Sequence, residues 1–437
     1  MIEKLKEIIL DYQKMSFETG AERQLELISL KGKASIYIGV RRSGKSTFLY
    51  QAMKHLRAEK VPHENILYIN FFDDRLHLLK QQGLEVIIEA YFSLYPEKKG
   101  VEKIYCFFDE IQQIDNWEPF IDRIMRTEKC AVFITGSSAK MLSTDLATQM
   151  RGRSITWEVF PFSFLEFLDY KEFKFKKNIT TKERHITENF FNDYWVSGSF
   201  PEVLDLSKNL RVKIHQNYFE TLLYRDIIDR HDIPHPQAVK DLALWLIDNT
   251  ASLYSVNRLT NYLKSIGHKI TKTSVSNYIH WFEDAFMFFT VRIYNASLAK
   301  SNTNPKKIYC IDHSFVRSIS SGILINSGHL LENLVYITLR RSTPNIFYYK
   351  TKKGYEVDFI AITNSTKQLV QVSESLVNET TKKREVRALQ EAMSELSINY
   401  SIIVTKNEKE LIQVDGGQIR VIPAWEFLTL IGAKSAH

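Results

Sequence analysis

The chain has 437 residues, of which 44% are hydrophobic and 25% are charged, and this composition excludes a disordered or fibrous protein. This length is enough for several domains with separate cores, and the net charge of +7 permits an anionic partner without requiring one. Because the first residues include acidic side chains and no apolar run reaches the length of a membrane span, we expect a cytoplasmic protein with no membrane partner.

A glycine-rich segment follows the first predicted strand, 34–39. It matches the phosphate-loop pattern G-x-x-x-x-G-K-[S/T], and an amphipathic helix follows it, as this motif requires. Glycines allow the backbone to point successive N–H groups at one anion. We expect Lys45 to reach the β- and γ-phosphates of a nucleotide and Ser46 to offer its hydroxyl to Mg²⁺. The candidate nucleotide-binding residues are Gly39, Val40, Arg41, Arg42, Ser43, Gly44, Lys45, Ser46 and Thr47.

A second apolar run, 104–108, ends in Asp109 and Glu110, which is the Walker B pattern. A strand that is apolar on both faces is expected in the middle of a parallel sheet between helices. Asp109 would then lie at the carboxyl end of the strand, where open α/β sheets bind ligands, and would hold Mg²⁺ largely through water. Glu110 would polarise the attacking water, so it is the candidate catalytic base.

Two later segments of this domain have more than one interpretation. A strand ends in Thr135-Gly-Ser-Ser138, whose hydroxyls would either sense a γ-phosphate or form an ordinary turn. Arg151 and Arg153 precede the last strand, and we expect them beside the ligand edge of the sheet. There they would stabilise γ-phosphate charge, in their own subunit or in a neighbouring one. A surface arginine without a catalytic role is an equally good interpretation of either one singly.

The composition changes after Pro161, and residues 237–312 then follow the order of a winged helix. Two helices separated by a turn precede two strands joined by a polar wing. The second helix is expected to present outward the side chains of Lys272, Ser274, Asn277 and Tyr278. Such side chains contact phosphates and base edges in duplex DNA. Because winged helices also act as lids or as protein-docking modules, a protein partner is an equally open interpretation.

The last 120 residues contain a nuclease-like pattern with two substitutions. Glu332 lies on a predicted helix and Asp358 on a predicted strand, as in restriction-endonuclease-like nucleases. The next strand of such nucleases carries Glu-x-Lys, but here it carries Gln371-Val372-Ser373. The missing carboxylate removes a Mg²⁺ ligand, and the missing lysine removes the group that would orient the attacking water. We therefore expect a nuclease fold that has lost its chemistry.

The chain as a whole resembles the predicted AAA+-superfamily ATPases of bacteria and archaea. In that family a phosphate-loop domain precedes a winged helix and a restriction-endonuclease-like domain of unknown function. The resemblance is carried by the motifs at 39–47, 107–110, 134–138, 151–153, 161–166, 354–358 and 371–372. It implies binding of ATP and Mg²⁺, hydrolysis of ATP, and a role for Arg151 or Arg153 as an arginine finger. A homo-oligomer is a further hypothesis, since such an arginine acts on a neighbour's nucleotide.

The predicted fold is therefore α/β, with a P-loop NTPase core of the AAA+ type followed by a helical lid, a winged helix and a degenerate nuclease-like domain. The predicted boundaries are 1–33 for an N-terminal helix and linker, 34–160 for the core, 161–236 for the lid, 237–312 for the winged helix and 313–437 for the last domain. The predicted function is Mg²⁺-dependent ATP hydrolysis coupled to a DNA- or protein-binding winged helix. The alternatives are a nucleotide-dependent scaffold with negligible turnover and, less favoured, a DNA-cleaving ATP-dependent nuclease.

Overall fold

In a computed structural model the chain forms two units, Met1–Phe160 and Pro161–His437. The structure describes residues 1–77, 79, 83–138, 148–176, 178–320 and 326–435. The boundary between the two units falls at Pro161, where the composition of the sequence changes. The finer boundaries, between the predicted lid, winged helix and last domain, stay predictions.

The first unit has alternating strands and helices. Its described strands are β1 (Ala34–Ile38), β2 (Ile66–Asn70), β3 (Ile104–Asp109), β4 (Cys130–Gly136) and β5 (Ser154–Glu158). Its described helices are α1 (Ile2–Lys14), α2 (Lys45–Ala58), α3 (Glu85–Leu94) and α4 (Glu118–Thr127). Short 3₁₀ turns connect several of these elements.

The strands of the first unit form a parallel sheet in the order β2-β3-β4-β1-β5. Strand β1 is buried at every position, and β3 is buried everywhere except at Tyr105, because helices cover both faces of the sheet. The rings of Phe107 and Phe133 stack 4.9 Å apart between neighbouring strands. The predicted α/β fold class is confirmed. Since β4 lies between β1 and β3, its end is inserted between the phosphate loop and Asp109.

The second unit contains more helices and a longer sheet. Its described strands are β6 (Leu253–Tyr254), β7 (Phe288–Ile293), β8 (Lys306–Cys310), β9 (Ile346–Lys350), β10 (Glu356–Thr363), β11 (Thr366–Val372), β12 (Tyr400–Thr405), β13 (Glu410–Val414) and β14 (Gly417–Pro423). Its described helices are α5 (Phe164–Tyr170), α6 (Thr181–Ser197), α7 (Lys208–Thr221), α8 (Pro236–Asp248), α9 (Val256–Ser265), α10 (Lys272–Asp284), α11 (Leu298–Thr303), α12 (His313–Ile319), α13 (Ser327–Ser342), α14 (Glu379–Leu396) and α15 (Ala424–Ser435). A π-helical stretch, Leu222–Ile228, continues α7.

The described strands of the second unit share one sheet, in the order β13-β14-β12-β11-β10-β9-β7-β8-β6. Strands β7 and β9 pair in parallel, so the sheet continues across the predicted boundary at residue 312. The sequence did not indicate this continuity, because the pairing joins strands more than fifty residues apart. Among the described helices of both units, none combines the length and the apolar composition of a membrane span.

Two details of the predicted winged helix differ in the structure. The loop predicted as a polar wing contains a short helix, α11. The predicted exposure of Tyr278 is wrong, since its side chain is 4% exposed. Tyr278 lies three residues after the buried Val275, and side chains at this spacing share one face of a helix. Lys272 and Asn277 are exposed, as expected.

A buried histidine gives the second unit a dependence on pH. His215 is fully buried next to the rings of Phe200 and Phe315, and its Nδ1 lies 2.8 Å from Ser318 Oγ. Burial lowers the pKa of His215 from 6.5 to about 4. The folded state therefore keeps the ring neutral at a pH where the unfolded chain already takes up a proton.

We predict that acid destabilises the wild-type protein more than the variant His215→Gln. Because the pKa is depressed in the folded state, this contribution to stability is full above pH 6.5 and is lost as the pH falls towards 4. The expected loss between pH 7.5 and pH 5 is about 2 kcal/mol in the free energy of unfolding. Urea unfolding at both pH values measures it, and an equal loss in the variant would contradict the assignment to His215.

Candidate active site

The phosphate-loop segment connects the end of β1 to the start of α2. The backbone of Gly39 passes so close to β5 that a Cβ atom would lie 2.1 Å from the carbonyl oxygen of Val159. Gly44 has a φ of +92°, a backbone conformation that residues with a side chain rarely adopt, and helix α2 begins at the next residue. Both glycines of the motif are therefore required by local geometry. The loop turns the chain sharply from the sheet into the helix.

Lys45 is held inside this loop. Its side chain is 3% exposed, and its Nζ donates hydrogen bonds to the carbonyl oxygens of Gly39 at 3.0 Å and Val40 at 3.1 Å. The same atom lies 3.7 Å from Glu110 Oε1. The structure thus brings the predicted lysine and the predicted catalytic base into one ion pair. This pair joins the phosphate loop to the end of β3.

Asp109 is fully buried at the carboxyl end of β3. One oxygen accepts a hydrogen bond from Tyr68 Oη at 2.8 Å, and the other accepts one from the Thr135 hydroxyl. Burial raises the pKa of Asp109 and the neighbouring Glu110 raises it further, whereas the hydroxyls of Thr135, Ser46 and Tyr68 oppose this rise. Ser46 and Asp109, the two predicted metal ligands, are therefore close neighbours.

The backbone of Glu110 is held in an uncommon conformation. Its φ is +57°, and its N–H donates to Thr135 Oγ1 at 2.9 Å. The Gln112 amide donates to the Glu110 carboxylate and also, at 3.2 Å, to Ser137 Oγ. A left-handed conformation at a non-glycine residue costs about 1 kcal/mol or more and persists only where its surroundings impose it. The end of β4 thus positions Glu110 through its backbone and, via Gln112, through its carboxylate.

The oxygen atoms at this site suit a magnesium ion. Ser46 and Asp109 provide one hydroxyl and one buried carboxylate, and hard cations such as Mg²⁺ prefer such ligands. In the residues that the structure describes, no group of three or more His, Cys, Asp or Glu side chains is arranged to hold a metal. A small protein ligand set fits Mg²⁺, which usually keeps several waters and binds through one or two protein oxygens plus substrate phosphates.

The two predicted arginines lie at the other edge of the sheet. Strands β1 and β5 are parallel, with Ala34 opposite Ser154, so Arg153 stands at the amino end of both strands. The phosphate loop begins beyond their carboxyl ends, about 15 Å away along strands of this length. The expected position of Arg151 and Arg153 beside the ligand edge is therefore wrong. Arg153 instead pairs with Asp122 at 3.3 Å, and Arg151 is exposed.

Sequence analysis did not identify three side chains of this site. Tyr68 could have been identified, because its hydroxyl interrupts an apolar strand that lies beside β3. Gln112 follows Glu110 by two residues but belongs to no motif. Arg23 had no signal at all, since it lies in a segment without regular structure. Its guanidinium is buried and donates to the carbonyl oxygens of Ser43 and, at 2.8 Å, Phe160.

Arg23 joins three separate parts of the first unit. The Ser43 carbonyl belongs to the phosphate loop, and the Phe160 carbonyl is the last of this unit. The backbone N–H of Arg23 donates to the Gln51 side chain on α2 at 3.1 Å. Gln51 in turn donates to the carbonyl oxygens of Thr19 and Ala21 at 2.6 Å each. The segment before β1 is thereby fastened over the phosphate loop.

Comparison with known protein families agrees with this geometry. Residues 31–168 match a family described as an AAA domain. Residues 188–323 and 327–427 match two families that are each described as a domain of unknown function, DUF8612 and DUF4143. The first unit therefore contains an AAA-type, ATPase-like domain.

Comparison with curated proteins then shows the family of the whole chain. The chain is 34% identical to the "Uncharacterized protein MJ1544" of Methanocaldococcus jannaschii, over 98% of its own length and 96% of that protein. It belongs to the same family as that protein. It is also 28% identical to an "Uncharacterized protein" of Haemophilus influenzae, over 92% of its own length and 96% of that protein.

Solved structures match this chain at low sequence identity and with low TM-scores. The Walker-type ATPase PABY2304 of Pyrococcus abyssi is 12% identical, with a TM-score of 0.43 over 65% of this chain and 90% of that chain. The Aeropyrum pernix ORC1 protein, solved in complex with DNA, is 12% identical, with a TM-score of 0.33 over 74% of this chain and 92% of that chain.

We predict that Arg23→Met lowers the stability of the first unit. The change keeps the length of the side chain but leaves the buried carbonyl groups of Ser43 and Phe160 without their donor. The expected loss is about 2–3 kcal/mol in the free energy of unfolding, measured by urea titration. Lys54→Met, an exposed change on α2, is the control and should shift stability by less than about 0.5 kcal/mol. Equal effects of the two changes would contradict this role of Arg23.

Proposed function

We propose that this protein is a Mg²⁺-dependent ATPase whose catalytic site is formed by the phosphate loop and the end of β3. The observation that carries the proposal is the convergence of Lys45, Glu110 and Asp109. Lys45 Nζ lies 3.7 Å from Glu110, and the Ser46 hydroxyl is near enough to Asp109 to lower the pKa of its carboxyl group. A chance glycine-rich turn would not bring a buried lysine and two acidic residues together in this way.

The residues of the site have separate roles in the proposed reaction. The N–H groups of the loop and the Lys45 ammonium bind the β- and γ-phosphates, and a phosphate oxygen replaces the loop carbonyls as the acceptor of Lys45. Ser46 and Asp109 hold Mg²⁺, which supplies positive charge to the phosphate oxygens. Glu110 polarises the attacking water, while Gln112 keeps its carboxylate in place. Thr135 keeps Asp109 hydrogen-bonded and holds the backbone of Glu110.

We predict that Glu110→Gln abolishes turnover and keeps ATP binding. The amide is nearly isosteric but cannot polarise water, so kcat should fall about 100-fold or more. Lys45→Ala should weaken ATP binding itself, because the buried cation is lost. Phosphate release and the binding of a fluorescent ATP analogue measure the two effects, with Lys54→Ala on α2 as the control. Hydrolysis at the wild-type rate by Glu110→Gln would favour a nucleotide-dependent scaffold in which Glu110 has no catalytic role.

Arg151 and Arg153 could act as arginine fingers only on a nucleotide bound by a second subunit. Within their own unit, Arg151 and Arg153 stand at the sheet edge opposite the phosphate loop. As arginine fingers they would therefore act on the nucleotide of a neighbouring subunit in a homo-oligomer.

The second unit is proposed to carry a winged helix that binds duplex DNA, over residues 237–312. Helices α9 and α10 are followed by β7 and β8, and strands β6, β8 and β7 pair antiparallel, which supports this interpretation. Lys272 and Asn277 are exposed on α10, where they would meet phosphates and base edges. A protein partner on the same face is the alternative.

We predict that the double change Lys272→Ala and Asn277→Ala weakens the binding of duplex DNA. Loss of one phosphate contact should reduce the slope of log affinity against log salt by about one. Gel-shift titrations at several salt concentrations measure both quantities. Lys213→Ala, an exposed change on α7, has the same charge effect elsewhere in this unit and should leave the slope unchanged. The absence of any shift at low salt would favour a protein partner.

The part of the second unit after residue 312 is proposed to be nuclease-like and silent. Helix α13 precedes the antiparallel strands β9, β10 and β11, and helix α14 then leads to the parallel strand β12. Glu332 and Asp358 both contact Lys307 Nζ, at 2.9 Å and 2.8 Å, so their carboxylates lie near one another. This proximity supports the proposed arrangement. Gln371 provides an amide where a nuclease of this kind needs a carboxylate.

A further inference from the structure

Four charged side chains meet inside the second unit. Lys307 extends from β8, Glu332 from α13, and Glu356 and Asp358 from β10. The Nζ atom of Lys307 lies 2.9 Å from Glu332, 2.9 Å from Glu356 and 2.8 Å from Asp358. Lys307 is 3% exposed, whereas Glu356 stands nearer the surface. We call these four residues the Lys307 cluster.

The ammonium of Lys307 donates hydrogen bonds to Glu332 and Asp358 and forms an ion pair with Glu356. An ammonium has three donors, and three carboxylate oxygens surround this one within 2.9 Å. Burial alone would lower the pKa of Lys307, but the carboxylates of Asp358 and Glu332 raise it well above 10.5. The side chain therefore stays charged, as a cation held in place by three carboxyl groups.

The carboxylates are also fixed by other groups. Glu332 Oε1 accepts a second hydrogen bond from Tyr309 Oη at 2.7 Å, and the second oxygen of Asp358 accepts one from the Val372 N–H at 3.0 Å. Three carboxylates stand against one ammonium, and burial together with Asp358 raises the pKa of Glu332 to about 7. Without Lys307, the buried Glu332 and Asp358 would lose their countercharge, which is costly, whereas the partly exposed Glu356 would keep Lys350 at 3.8 Å.

Gln371, which stands where such a nuclease has a carboxylate, is held in place as well. The Gln371 carbonyl oxygen accepts from the Asp358 N–H at 3.1 Å, and its amide donates to Glu385 Oε2 at 2.7 Å. Gln371 thus holds the backbone of β10 and presents no negative oxygen to the Lys307 cluster.

A resident divalent cation does not fit this arrangement. Mg²⁺ needs several oxygen ligands at about 2.0–2.1 Å in near-octahedral geometry. Here the point at which Glu332, Glu356 and Asp358 converge is taken by Lys307 Nζ, which lies within 2.9 Å of one oxygen of each. The metal that a nuclease-like fold implies is therefore excluded by a side chain of the protein itself.

We propose that Lys307 is a tethered substitute for the divalent cation, so that the carboxylates Glu332, Glu356 and Asp358 are stabilised without metal and the site is closed to it. The proposal rests on the nuclease-like arrangement only for the kind of cation that is replaced. It does not depend on ATP hydrolysis by the first unit. It implies that removal of the ammonium turns the Lys307 cluster into a metal site.

We predict that Lys307→Met binds one more Mn²⁺ per chain than the wild-type protein. The methionine keeps the length of the side chain and removes the positive charge, and Mn²⁺ then compensates the three carboxylates. Electron paramagnetic resonance of free Mn²⁺, without nucleotide, counts the bound ions. Lys306→Met, which removes the neighbouring lysine of β8, is the matched control and should leave the count unchanged. Asp358→Asn in the Lys307→Met background should abolish the additional site.

Two outcomes of the Mn²⁺ count would overturn the proposal. One is a folded Lys307→Met protein that binds no more Mn²⁺ than the wild type. The other is a wild-type protein that already binds a Mn²⁺ which Asp358→Asn removes. If Lys307→Met is unfolded in metal-free buffer, circular dichroism with added Mn²⁺ decides: recovery of the folded signal supports the proposal, and no recovery overturns it.

A nuclease assay separates this inference from the proposed loss of cleavage. Wild-type protein that cut plasmid DNA in Mn²⁺, with the activity lost in Asp358→Asn, would overturn the silent nuclease-like domain and the tethered cation together. A wild-type protein without cleavage, combined with an unchanged Mn²⁺ count in folded Lys307→Met, would overturn the tethered cation alone.

Discussion

The first unit depends on keeping the buried carboxylate of Asp109 at the end of a central strand. A charged group in such a place is unfavourable unless hydrogen bonds surround it. The hydroxyls of Tyr68 and Thr135 provide these hydrogen bonds, and the Ser46 hydroxyl lies nearby; they come from β2, β4 and the start of α2. The sheet order, with β4 between β1 and β3, is what brings these elements together. The geometry of Lys45 and Glu110 follows from the same arrangement.

The second unit meets the same physical problem in a different way. Its buried carboxylates, Glu332 and Asp358, are compensated by the ammonium of Lys307 rather than by hydroxyls. Hydroxyl donors are neutral, so they leave Asp109 without a countercharge, which a metal ion would supply. An ammonium compensates part of the charge of the carboxylates and occupies the point at which they converge. The contrast explains why we propose a metal at the first site and none at the second.

The sequence indicated the phosphate loop, the strand ending in Asp109 and the α/β class, because each depends on local residue order. It misplaced Arg151 and Arg153, although residues just before a parallel strand must lie at its amino end. It also misjudged Tyr278, since the face of a helix that is buried depends on what packs against it.

By itself, then, the sequence determined the chemistry that is written in contiguous residues: glycines that let the backbone turn, a lysine, a hydroxyl and a strand that ends in two acids. Only the tertiary structure decided which distant groups complete that chemistry. Arg23 fastens the phosphate loop, Gln112 holds Glu110, and Lys307 fills a site whose carboxylates lie up to about fifty residues away. Such partners leave no local pattern, because a buried charge needs a neighbour in space and not in sequence.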